Sequence, residues 1–194
     1  MVDLTNKEVV KSLVEACIKG ESRSQELFYK TFYGKMLTVC MRYSRNREEA
    51  QDVLHDGFIK VFMKLKGFEN KGSLEGWVRR IIVNNAIDYV RTKRDYYMRE
   101  EQDYLLDDLV DDAYDNQELE RLKQVKVEKL IRLIQKLSPA YQMVFNLYTL
   151  ENMQHKEIAE KLNISIGTSK SNLAKAKVRL KELVEEHWNE FKYE

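Results

Sequence analysis

The 194-residue chain has one proline, seven glycines and two cysteines. So few turn formers exclude an all-β sandwich or barrel, which needs many tight turns. Cys17 and Cys40 both fall inside apolar-periodic segments, as buried thiols do. Two cysteines and three scattered histidines (His55, His155, His187) offer no metal-ligand spacing, so no metal or other cofactor is expected. No run of about 18 apolar residues is present, which excludes a transmembrane helix and membrane insertion. The first residues also lack the basic and apolar regions of a signal peptide, which points to a cytoplasmic protein. A glycine-rich phosphate loop and a nucleophile with a recognisable base are missing too, so an enzyme is not expected. Net charge is nearly absent: 33 bases stand against 32 acids. That balance argues against a nucleic-acid binder only if the charge is spread evenly.

What is present is helical periodicity. Residues 7–19 space Val9, Val10, Leu13, Val14, Cys17 and Ile18 as a helix, ended by Gly20. Residues 23–43 and 47–66 repeat the pattern; the second carries Val53, Leu54, Phe58, Ile59, Phe62, Met63 and Leu65. A turn-rich break spans 67–73, and Ser73 is placed to cap a long helix to about Arg94. Helices are expected again over 120–137, 139–150, 154–162 and about 167–188. Ser138 caps and Pro139 opens the second of these.

The charge is not evenly spread. Residues 95–120 hold eleven acids and one base, Arg99, a net of −10. Such a block repels itself and reads as an exposed linker. Residues 77–94 hold five bases and one acid, a net of +4. Residues 156–181 hold seven bases and two acids, a net of +5. Neutrality is a sum of opposed blocks, and the objection to nucleic acid lapses.

The +5 block lies in residues 154–181, which follow a helix-turn-helix plan. Ile158, Ala159 and Leu162 form a short apolar face. Asn163–Ile166 is a tight connection that inserts Ile164, and Thr168 can cap the second helix. On a wheel, Leu173, Ala176, Leu180, Leu183 and Val184 cluster inward. Ser171, Ala174, Lys175 and Val178 fall opposite, with Lys170 at the N-terminal flank. Small and basic residues suit major-groove entry: Lys donates to phosphate or guanine, Ser bonds either, and Ala touches a thymine methyl. A plain helical hairpin with a solvated basic face is the competing reading.

In the helix over 73–94, Val78, Ile81, Ile82, Ala86 and Tyr89 share one expected buried side. Arg80, Asn84, Ile87 and Arg91 share the other, with Asp88 beside them. An amide between two guanidinium groups can bond a base edge while the arginines hold the backbone. Tyr96 and Tyr97 follow, and aromatics beside bases suit stacking on unpaired nucleotides. An ordinary amphipathic helix with a polar stripe competes equally. Trp77 reads as core packing.

Three stretches together resemble the bacterial RNA polymerase sigma factors of the sigma-70 family, in their extracytoplasmic-function (ECF) subgroup. Glu48–Phe58 resembles the helix that docks on the polymerase clamp; Trp77–Arg91 resembles the −10 element; and Ile158–Ala159–Glu160 with Gly167–Ser171 resembles the −35 reader. The resemblance implies core-polymerase binding by Asp52, Asp56 and Phe58, with Phe58 part core and part interface. It implies −10 contacts by Arg80, Asn84, Asp88 and Arg91, and −35 contacts by Lys170, Ser171, Ala174 and Lys175. The partners implied are core RNA polymerase (clamp and flap), promoter DNA and an anti-sigma factor. The acidic linker would thread the polymerase near the RNA path. His55 stands where a glutamine is common, and Ser169 and Asn172 where Val and Arg are common; losing that arginine removes a possible bidentate guanine contact.

The expected fold is all-α: two small helical domains joined by an acidic linker, the second a helix-turn-helix (winged-helix-like) domain. Residues 1–95 form the expected region 2-like domain, 96–121 the linker and 122–194 the region 4-like domain. The expected function is a transcription initiation sigma factor. A stand-alone helix-turn-helix regulator is the alternative; the second DNA-reading candidate at 73–94 weighs against it.

Overall fold

The computed structural model describes residues 2–97 and 118–187, with side chains described at all of these except 94–97 and 118–126. The expected linker therefore lies largely outside the described residues, as do the side chains of Arg94, Tyr96 and Tyr97. Among the described residues there are eight α-helices and no strand. Any likeness to a winged helix thus rests on the helical core. The chain divides into two compact units, 1–90 and 91–194. The division falls inside a helix, where Val90 is buried and Arg91, Thr92 and Lys93 are exposed.

The first unit comprises α1 (Lys7–Ile18), α2 (Ser22–Met41), α3 (Arg47–Lys64), a 3₁₀ turn (Leu65–Gly67) and, up to Val90, α4 (Leu74–Tyr97). Asn6 caps α1 by accepting from the Glu8 and Val9 amides. Its far end closes as a Schellman motif: Gly20, at φ +82°, donates to Cys17 and Glu21 donates to Ala16. Only glycine takes that backbone without strain, which is why the helix stops there. The core is aromatic. Phe28 and Phe32 are fully buried with ring centroids 4.9 Å apart, and Phe62 and Phe58 extend the cluster through Phe28 and Tyr29. Trp77 is half-buried and meets Phe68 edge-on at 5.5 Å.

α3 and α4 are locked by contacts no local pattern announces. Tyr89 donates to Glu49 at 2.8 Å. The buried Asn85 donates to the Val53 carbonyl at 2.8 Å and accepts from Lys60. Gly57 lets the helices close: a Cβ there would lie 2.6 Å from the Ile82 Cδ1. Two expectations fail here. Ile87, placed on the exposed side of α4, is buried, because Val83, Ile87 and Val90 are covered as well as Val78, Ile82 and Ala86. Ile59 and Met63, read into the apolar pattern of α3, are 48% and 76% exposed.

The second unit holds α5 (Glu118–Gln135), α6 (Pro139–Phe145), a π-helical turn (Asn146–Leu150), α7 (His155–Leu162) and α8 (Ile166–Glu186). Pro139 opens α6 as expected, while Ser138 holds the N-cap position without a side-chain bond to the helix. Leu133, Leu137, Ala176 and Leu183 form a buried cluster, with Tyr141, Phe145, Leu180 and Val184 packed against it. The Glu157 carboxylate accepts from the Gln154 amide at 2.8 Å and fixes the start of α7. Asn163, at φ 52°, ends it, and Ile164 turns back half-buried. The cap of α8 is Ser165, not Thr168: the Ser165 Oγ accepts from the Thr168 amide at 2.9 Å. The two hydroxyls are themselves 2.9 Å apart, so Thr168 buttresses the cap from inside the helix.

Candidate nucleic-acid interface

Three polar faces result. On α8, Lys170, Ser171, Ala174 and Lys175 are all exposed, and Val178 continues the row at 60% exposure. Leu173 and Ala176 face the core between them, so the helical period alone separates the exposed row from the packed one. The C-terminal half of the helix is different. Arg179 donates to Glu182 at 3.0 Å and Glu186 at 3.2 Å, and Lys181 lies 3.8 Å from Glu185. Hydrogen bonding by Glu182, then by Glu186, pushes the Arg179 guanidinium still further up from its ordinary range. These acids lie just beyond the +5 block of residues 156–181. The uncompensated positive charge of α8 is therefore at its N-terminal half.

On α4, Arg80, Asp88 and Arg91 are exposed and Asn84 is half-buried. Their spacing of four, four and three residues makes one straight stripe. Buried Val83, Ile87 and Val90 line one side of it, and half-buried Ile81 and exposed Thr92 lie on the other.

On α3, Asp52 and Asp56 are exposed with His55 between them. Phe58 is not part of this face. Its ring is 2% exposed and packs 4.6 Å from Tyr29, so it supports the helix from behind rather than meeting a partner. The reason is the helical period: Phe58 falls with Leu54 and Val61 on the core side. Ile59 and Met63 instead continue the ridge of Asp52, His55 and Asp56. Sequence reasoning missed them, although two large apolar residues three and seven positions after an exposed acid were the available signal.

Among the described residues no group of His, Cys, Asp or Glu is placed to hold a metal. No helix among them is long and apolar enough to cross a membrane. Both thiols are held protonated: burial raises Cys17 to about 11 and Cys40 to about 12, from an ordinary 9.0.

A helix-turn-helix in one unit and a basic polar stripe in the other define a helical transcription factor with two separate polar faces. Residues 28–96 match Sigma-70 region 2 and residues 127–180 match Sigma-70, region 4. Together they span more than half of the chain, in that family's order. The chain belongs to the sigma-70 family and is an RNA polymerase sigma factor of the ECF group. It is 26% identical over 185 residues to the ECF RNA polymerase sigma factor SigW of Bacillus subtilis (strain 168), covering 89% of this chain and 95% of SigW. The RNA polymerase sigma factor YlaC of the same organism is 28% identical over 158 residues, covering 81% and 90%. The fold is similar to that of the sigma factor RpoE from Bartonella quintana, solved with the anti-sigma factor NepR. The TM-score is 0.50 at 19% identity, over 82% of this chain and 96% of that one.

Proposed function

We propose that the chain binds core RNA polymerase through the α3 face and carries it to promoters by reading the −10 element with α4 and the −35 element with α8. Region 2-like work belongs to residues 1–95, a linker to 96–121 and region 4-like work to 122–194. Asp52 and Asp56 offer carboxylates to a basic clamp. Arg80 and Arg91 hold the DNA backbone, while Asn84 and Asp88 face unstacked −10 bases. Lys170, Ser171, Ala174 and Lys175 enter the −35 major groove, and the second unit also meets the polymerase flap. The observation that carries this reading is the pair of exposed polar stripes on two units of one chain, each small enough to bind DNA weakly alone. Polymerase then supplies the affinity and the stripes supply the choice. An anti-sigma factor fits the same scheme if it covers the α3 face or either stripe, and chemistry is left to the polymerase.

The test is transcription reconstituted from core polymerase, the purified chain and genomic fragments, with start sites mapped. Defined starts that vanish without the chain are expected. Failure to bind core polymerase, or random initiation, refutes the reading. A dimer that binds paired half-sites without polymerase would instead support a stand-alone regulator.

A further inference from the structure

Three side chains from three elements meet behind the front of α8. Ser169, the fourth residue of that helix, is completely buried. Its Oγ lies 2.9 Å from Nδ1 of His155, the first residue of α7. Tyr148, carried by the π-helical turn, stacks on the imidazole with centroids 4.5 Å apart and planes 21° apart.

We propose that His155 is a positioning residue for DNA reading: it fixes the rotation of α8 about its own axis, and so the direction of Lys170, Ser171 and Ala174. The inference rests on α8 being the DNA-reading helix. A buried hydroxyl needs a partner. Within a helix it can turn back to the carbonyl four residues earlier. Here that is the carbonyl of Ser165, but the hydroxyl is directed at His155 instead. The bond to His155 is made at one rotation of α8, whereas an apolar side chain packs over a range. Side-chain tips stand roughly 5–6 Å from a helix axis, so a turn of about 15° moves them about 1.5 Å. That displacement is enough to lose a hydrogen bond to a base edge. The serine hydroxyl both donates and accepts, so the bond holds in either imidazole tautomer. Stacking on Tyr148 sets the ring plane and therefore the line along which Nδ1 points.

The test uses polymerase holoenzyme reconstituted with the full chain. The probes are the promoter fragment with the strongest mapped start and the same fragment with its −35 element scrambled. Ser169→Ala and His155→Phe remove the bond, the second keeping a ring against Tyr148. His155→Asn keeps an amide group where Nδ1 stood. Both bond-removing variants are expected to weaken binding to the intact promoter about fivefold, the equivalent of one hydrogen bond. Binding to the scrambled fragment stays at the wild-type level, the double variant is no weaker than either single one, and His155→Asn keeps the wild-type ratio. A role in folding alone lowers both affinities together by shrinking the active fraction, and that result overturns the proposal. So does an unchanged ratio in Ser169→Ala. If Lys170→Ala with Lys175→Ala leaves the intact promoter bound as in wild type, α8 is not the reader and the proposal falls with that reading.

Discussion

Gly57 and Gly34 both lie inside helices of the first unit, α3 and α2, yet the same substitution at each should act in opposite directions. Replacing a helix-interior glycine by alanine gains about 1 kcal/mol of backbone entropy and helix propensity. At Gly34 nothing lies within 4 Å of the new Cβ, so that gain stands alone. At Gly57 the Cβ meets Ile82 Cδ1 at 2.6 Å, with Asn85 Nδ2 at 3.5 Å and the Ile82 Cα at 3.8 Å. Relief requires the Ile82 methyl to retreat about 1 Å, and Ile82 is fully buried, where close packing resists such a shift. Overpacking of this kind costs about 1–3 kcal/mol. A contact this short belongs near the top of that range, which leaves a net loss of about 2 kcal/mol after the propensity gain. For a unit of this size 1 kcal/mol moves the unfolding midpoint by about 4–8 °C. Thermal unfolding followed by circular dichroism should therefore show Gly34→Ala raised by about 4–8 °C and Gly57→Ala lowered by roughly 10 °C or more. A Gly57→Ala midpoint at or above wild type would refute the close-packing account of the α3–α4 contact.

Asn85→Ala removes two hydrogen bonds and leaves the Lys60 ammonium without its amide partner, so urea unfolding should show a loss of about 2 kcal/mol. Lys170→Ala and Lys175→Ala should each weaken holoenzyme binding to a mapped promoter; for each that neutralises a phosphate, the slope of log affinity against log salt falls by about one. Reversing Asp52 and Asp56 to Lys should weaken core-polymerase binding in a pull-down or titration while leaving the circular dichroism spectrum unchanged, because both side chains are exposed. The native state holds the Cys17 and Cys40 protons more tightly than the unfolded chain does. Their contribution to stability is therefore constant below pH 9 and falls as pH rises from about 9 towards 12. A thiol reagent at pH 8 should label neither cysteine until denaturant is added.

Much of this fold was legible because it is built from helices whose faces repeat. The stop at Gly20, the opening of α6 at Pro139 and the inward row of Leu173, Ala176 and Leu183 all follow from local rules. The exposed row of α8 was legible for the same reason, since one residue's step of about 100° turns Ala174 away from the buried Leu173. The misreadings came from tertiary context. Ile87 looked exposed because the wheel set it beside the polar residues, whereas the buried side of α4 extends through Val83 and Val90 to reach it. Phe58 looked like an interface residue because family likeness says nothing of where the neighbouring aromatic rings stand. Ser165 and Thr168 are three residues apart and either could cap; only the amide geometry decides. The contact of His155 with Ser169 joins residues fourteen apart across a turn, and the Asn85–Val53 bond joins residues on different helices. No periodicity encodes either. The π-helical turn spans too few residues for its altered period to register in a pattern.

The self-neutralised rear of α8 gives that helix a direction in an electric field. Lys170 sits just past the first turn, at the end where backbone amides add about half a positive charge, and Lys175 lies at mid-helix. Arg179 and Lys181, by contrast, are engaged by Glu182, Glu185 and Glu186. A nearby phosphate chain therefore exerts a torque as well as a pull, turning the front of the helix towards the duplex before any contact forms. The torque fades within a Debye length, about 8 Å at physiological salt, so it acts on the last step of approach. On the proposed reading, the lysines assigned to hold the DNA thereby also aim the helix assigned to read it.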